Sequence, residues 1–243
     1  MAGPIFARFV VMLRPATVPD SMMRLFRLLP TAVAAGTALM WSGGPAQVHP
    51  HVFAEARLEV TVNPDGTVKA LRNLWRFDDV FSSTVLMEFD QNSDLKLDEA
   101  ELQEVADTVY QSLAEFNYFQ MVSRDGKDVA MAPPPSLMVD FQDQQLMIIF
   151  ETTPKEPLKL AGKLAFGVYD PTFYTAIDFA EDEHMAVAGL PANCTRSVVR
   201  PDPDEILAQN QSTLTDAFFN DPSGNNMSKI FATRLELSCG AEG

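Results

Sequence analysis

From Val52 to Val62 the chain alternates without a break. Val52, Ala54, Ala56, Leu58, Val60 and Val62 share one side; Glu55, Arg57, Glu59 and Thr61 share the other. A period of two is the signature of an extended strand with one dry and one wet face. Such a strand needs partners, and the next residues supply the first. Asn63-Pro64-Asp65-Gly66 is a strong turn signal, and a second strand over about Thr67 to Phe77 completes a hairpin. Whatever else the chain does, it must build a β core against the apolar side of this hairpin.

The period then changes. Asp79 to Phe89 reads as a short helix, and from Asp98 onward Leu102, Val105, Ala106, Val109, Leu113 and Phe116 recur at helical spacing. After Asn117 it returns to two. Phe119 to Ser123 and Lys127 to Met131 flank Arg124-Asp125-Gly126 as a second hairpin. Pro133-Pro134-Pro135 breaks the chain. The groups Leu137/Val139/Phe141, Leu146/Ile148/Phe150 and Leu164/Phe166/Val168 predict three further strands. A short helix from Glu205 to Phe219, a polar loop from Asp221 to Ser228 and a last strand ending at Cys239 close the chain. The expected fold class is α+β: a mainly antiparallel β domain with an EF-hand-like helical insertion over about 79–117 and a disulfide-tied C-terminal segment.

The N-terminal residues predict export. Met22-Met23-Arg24-Leu25-Phe26-Arg27 is a basic start, Leu28 to Trp41 an apolar stretch, and Ser42-Gly43-Gly44-Pro45-Ala46 a run of small residues. These are the parts of a secretory signal, with cleavage expected after Ala46 and the true start at Met22 or Met23. The apolar stretch is short for a membrane span, and no later one approaches that length. The mature part, residues 47–243, is read as one periplasmic domain. Losing Arg8, Arg14, Arg24, Arg27 and Asp20 takes the net charge from −15 to −18. Such acidity disfavours nucleic acid and anionic lipid and favours cations. In an oxidising compartment the only two cysteines, Cys194 and Cys239, read as a disulfide closing a loop of about 45 residues.

Two segments carry candidate ligands. Asp90 to Glu101 fits the twelve-residue EF-hand loop, with Asp90, Asn92, Asp94 and Asp98 at positions one, three, five and nine. Lys96 stands at position seven and Glu101 at twelve. Position six, which calls for a glycine at positive φ, is Leu95. Ca²⁺ is the ion this register implies; a capping box, Asp98-x-x-Glu101, explains part of the same pattern without metal. The second segment is His49-Pro50-His51, two of the three histidines in the chain. Imidazole suits Zn²⁺, Ni²⁺ and Co²⁺. A cut after Ala46 would also leave a free amine ahead of Val48-His49, a square-planar set for Cu²⁺ or Ni²⁺. A complete structural site needs more ligands, for which His184, in Glu181-Asp182-Glu183-His184, and Asp178 are candidates. The bland alternative is a terminal pair of exposed histidines and a surface-loop His184 among acids.

His49-Pro50-His51-Val52-Phe53 and Leu74-Trp75-Arg76-Phe77-Asp78 precede the EF-like loop, and Glu156-Pro157-Leu158, Tyr169-Asp170-Pro171-Thr172-Phe173-Tyr174 and Cys194 follow it. In this order the residues resemble the bacterial family called domain of unknown function 1007, over nearly the whole mature chain. The resemblance implies the periplasmic component of an uncharacterised ABC-type transport system, with membrane metal-transporter components as partners. His49 and His51 inherit a suspected metal role from it. The expected function is a divalent-metal-binding accessory protein, not an enzyme: Gly-x-Ser-x-Gly, His-Glu-x-x-His and a nucleophilic cysteine are all missing. The alternative is a structural or interaction domain stapled by Ca²⁺.

Overall fold

The computed structural model describes residues 50–210 and 227–240. The signal segment, His49, the second half of the helix expected to reach Phe219 and most of the polar loop lie outside them. In chain order the strands are β1 (Val52–Val62), β2 (Val68–Phe77), β3 (Gln120–Arg124), β4 (Lys127–Asp128), β5 (Met138–Gln142), β6 (Gln145–Thr152), β7 (Gly162–Val168), β8 (Thr175–Asp178), β9 (Met185–Ala188), β10 (Cys194–Val199) and β11 (Arg234–Cys239). The helices are α1 (Asp79–Phe89), α2 (Glu99–Ala114) and α3 (Pro203–Gln209).

Two sheets form. One runs β5-β6-β2-β1-β8, with β9 also on β1; the other runs β10-β11-β7-β3-β4. The alternation of β1 has the predicted consequence: Val52, Ala54, Ala56, Leu58 and Val60 are buried, and His51, Phe53, Glu55 and Arg57 are exposed. Trp75, one residue inside the family-like Leu74-Trp75-Arg76 run, anchors the core. It stacks on Phe119 at 5.9 Å and meets Phe150 edge-on at 4.9 Å. Buried Gln120 and Thr152, one from each sheet, share a hydrogen bond of 2.9 Å. Leu58, Leu71, Leu146, Ile148, Leu164, Phe166 and Leu235 complete the dry layer, and burying such a side chain contributes roughly 1.5–3 kcal/mol.

The helices start where acids can accept the free N–H groups of their first turns. Asp78 caps α1, accepting from Val80 and Phe81 at 2.9 Å each. Asp98 caps α2, with Glu101 returning the bond to complete a capping box. Ser82 of α1 is fully buried and accepts from the Leu146 N–H at 2.9 Å, which fixes the helix to β6. Asn117, Tyr118 and Phe119, with φ of 51°, 52° and 57°, form a left-handed turn that leads from α2 into β3.

The sheets are mainly antiparallel, as expected, and β8 and β9 run parallel to β1 at one edge. β8, β9 and β10 had no counterpart in the periodicity, because four to six residues give too few alternations to register. The expected strand from Lys127 to Met131 pairs only over Lys127–Asp128, with Met131 in an isolated bridge to Pro154. The Cys194–Cys239 disulfide is present. Among the described residues no helix is long and apolar enough to cross a membrane.

Candidate functional site

The edge beside β1 gathers the described transition-metal candidates, His51, Asp178 and His184. β8 pairs with β1 from Val52 opposite Thr175 to Glu55 opposite Asp178. Pairing resumes with Leu58 opposite Met185. Between those points β1 advances three residues and its neighbour seven, so four extra residues leave the ladder. This excursion holds Glu181-Asp182-Glu183-His184 and ends in the short turn Asp182–His184. Phe179, 1% exposed, anchors its start.

Two arginines hold the excursion in shape. Arg196 of β10 donates through Nη2 to the carbonyls of Asp182 and Met185, at 2.7 and 2.8 Å. Arg200 donates to the Phe179 carbonyl at 2.8 Å and pairs with the Asp182 carboxylate at 3.0 Å. Guanidinium groups suit this task because one rigid fork serves two acceptors. β10 is in turn tied to β11 by the disulfide, since Cys194 stands directly opposite Cys239.

His184 therefore is not the surface-loop histidine that its acidic neighbours suggested. Its side chain is 10% exposed, its Nδ1 has no hydrogen-bond partner, and that nitrogen lies 3.6 Å from Glu55 Oε1. Asp178 is exposed and adjoins Glu55 across the β1–β8 ladder; Arg76 faces Glu55 from β2. His51 sits at the head of β1. Its N–H donates to the Tyr174 carbonyl at 2.9 Å, and its ring lies 5.2 Å from that of Tyr174. His184 and Asp178, the candidates to complete the His49/His51 set, stand further along the edge than His51; His49 lies outside the described residues. Four strand residues separate His51 from Glu55, roughly 13 Å at about 3.3 Å each. They are two places on one edge. Among the described residues no three His, Cys, Asp or Glu side chains converge to hold an ion.

The turn Tyr169-Asp170-Pro171-Thr172-Phe173-Tyr174 is half-buried scaffolding for β8. Asp170 accepts from the Thr172 N–H and hydroxyl at 2.7 Å each and from the Thr175 N–H at 2.9 Å. Burial pushes its carboxyl above the ordinary aspartate range, although all of these donors pull the other way.

In the EF-like loop, Leu95 adopts the glycine conformation, with φ of 63°. Asp90 accepts from the N–H groups of Asp94 and Leu95 at 3.1 and 2.8 Å. Asn92 accepts from Asp94, and Asp94 from the Lys96 N–H. Glu101, expected to offer Ca²⁺ two oxygens, has both engaged: Oε1 by the Gln91 N–H and Oε2 by the Asp98 N–H, each at 2.8 Å. Backbone N–H groups thus donate to Asp90, Asn92, Asp94 and Glu101 within the loop. The sequence reading had missed Glu55, Arg196 and Arg200. Glu55 was legible as a wet-face acid of β1; the arginines act through carbonyls 11 to 21 residues away, which no local pattern records.

An uncharacterized protein of Haemophilus influenzae is 23% identical over 194 residues, covering 79% of this chain and 91% of its own. The family described as Protein of unknown function (DUF1007) matches residues 34–239. The match takes in both sheets, the helical pair and the disulfide, so the chain belongs to that family.

Proposed function

We propose that this is an exported, non-enzymatic protein that binds divalent transition metal in the periplasm and passes it to a membrane metal transporter. The supporting observation is the β1 edge. Both described histidines, His51 and His184, lie along its wet face with Glu55 and Asp178. Zn²⁺, Ni²⁺ or Co²⁺ is the cargo that imidazole and carboxylate together suit. His49 and His51 are the proposed capture pair, and the acidic field of the mature chain raises the local cation concentration. Calorimetry on residues 47–243 tests this. Zn²⁺ or Ni²⁺ should bind, and His49→Ala/His51→Ala should weaken binding by about tenfold or more, or about 1.4 kcal/mol. Unchanged affinity in the double variant would reject capture by this pair.

A second reading, an interaction domain stapled by Ca²⁺, draws on Leu95. A leucine held at φ 63° costs about 1 kcal/mol, and its side chain, 76% exposed, gains nothing in return. Leu95→Gly should raise Tm by a few degrees at most, because the freer unfolded chain offsets part of the relief. On this reading Ca²⁺ raises Tm further, and more in the glycine variant. Scanning calorimetry with Ca²⁺ and with chelator decides it; no Ca²⁺ effect in either protein leaves only a helical connector.

A further inference from the structure

We infer that Glu55 and His184 are the core of a second transition-metal site, built into the folded body and separate from the His49-Pro50-His51 segment. The argument starts from an orphan. An imidazole nitrogen shielded from water and left without a hydrogen bond is unfavourable, and Nδ1 of His184 is such an atom. It points at a carboxylate 3.6 Å away, too far for a hydrogen bond. Two ligands of one tetrahedral ion, with bonds of about 2.0–2.2 Å, stand roughly 3.3 Å apart. A shift of a few tenths of an ångström would bring the pair onto a Zn²⁺-class ion.

The surroundings fit that occupant. Arg196 and Arg200 fix the backbone on both sides of His184, so the imidazole is positioned before any ion arrives. Glu55 is 47% exposed, which leaves a path for exchange. Asp178, opposite Glu55 in the ladder, is exposed and is the nearest carboxylate in register to add to the pair. One imidazole with one or two carboxylates selects Zn²⁺, Ni²⁺ or Co²⁺ over Ca²⁺ and Mg²⁺.

The test is Zn²⁺ calorimetry and Co²⁺ absorption on residues 47–243, with NMR of the histidine side chains. Zn²⁺ should shift the His184 resonances. Glu55→Gln and His184→Gln should each weaken one binding event by about tenfold or more and abolish the matching Co²⁺ band, with unchanged Tm in Glu55→Gln as the folding control. His49→Ala/His51→Ala should leave this event intact. If both single variants bind Zn²⁺ as the wild type does, the inference is overturned, even where the terminal pair still binds. If Zn²⁺ leaves the His184 resonances unmoved, the two residues are a simple ion pair and the site does not exist. If the terminal double variant alone is silent in effect, the body site stands and the capture pair above falls.

Discussion

Replacing both cysteines, Cys194→Ser/Cys239→Ser, should destabilise the protein by roughly 2–4 kcal/mol and lower Tm by about 5–15 °C. The bond spans 45 residues, and closing a loop of that length removes roughly 4 kcal/mol of entropy from the unfolded chain. The native ladder survives its loss in outline, because β10 still pairs with β11 over six residues. What loosens is the end of that pair. Arg196 lies two residues from Cys194 and holds the excursion that carries His184. Hydrogen exchange should therefore quicken first over Cys194–Val199 and Asp182–His184, and last over β1 and β2. Denaturant unfolding of the oxidised and serine forms measures the global term. Uniform loosening of every strand would mean that the disulfide acts on the unfolded state alone and that the arginines need no support from it.

The hairpin Val52 to Phe77 and the helices at Asp79–Phe89 and from Asp98 were legible because each is long enough to repeat its own period. Leu95 was legible too: the register demanded a positive φ at that position, and the leucine adopts it. The β1 edge was not. A parallel strand broken after Asp178 and resumed at Met185 shows no alternation, and its partner lies more than a hundred residues away. His184 looked wet because three acids precede it, yet two arginine forks turn the chain so that the acids face out and the imidazole in. The ligand candidates were thus named from chemistry, whereas their division into two places required the register. The Asp98-x-x-Glu101 pattern had two readings in sequence, a helix start and an ion loop; the helix start is present as a capping box, with Glu101 accepting from Gln91 and Asp98.

Asp170→Ala should cost about 3 kcal/mol, since three donors lose one shared acceptor in a turn where Asp170 is 5% exposed. The consequence reaches the site, because the Thr175 N–H held by Asp170 begins β8, and β8 sets Asp178 beside Glu55. Asp170→Asn keeps the shape but offers one acceptor oxygen in place of two, and should cost less. The two substitutions also separate burial from hydrogen bonding through pH. Burial raises the folded-state pKa of Asp170 above its unfolded value. The stability linked to its proton is therefore complete below about pH 4, the unfolded value, and is lost as pH rises through the folded one. An asparagine has no such proton. Urea midpoints from pH 3 to 7 should show the gap between wild type and Asp170→Asn widest at the acid end and narrowing toward neutrality. A gap that widens with pH would mean that the Thr172 and Thr175 donors outweigh burial, and that β8 is held by a carboxylate rather than by a carboxylic acid.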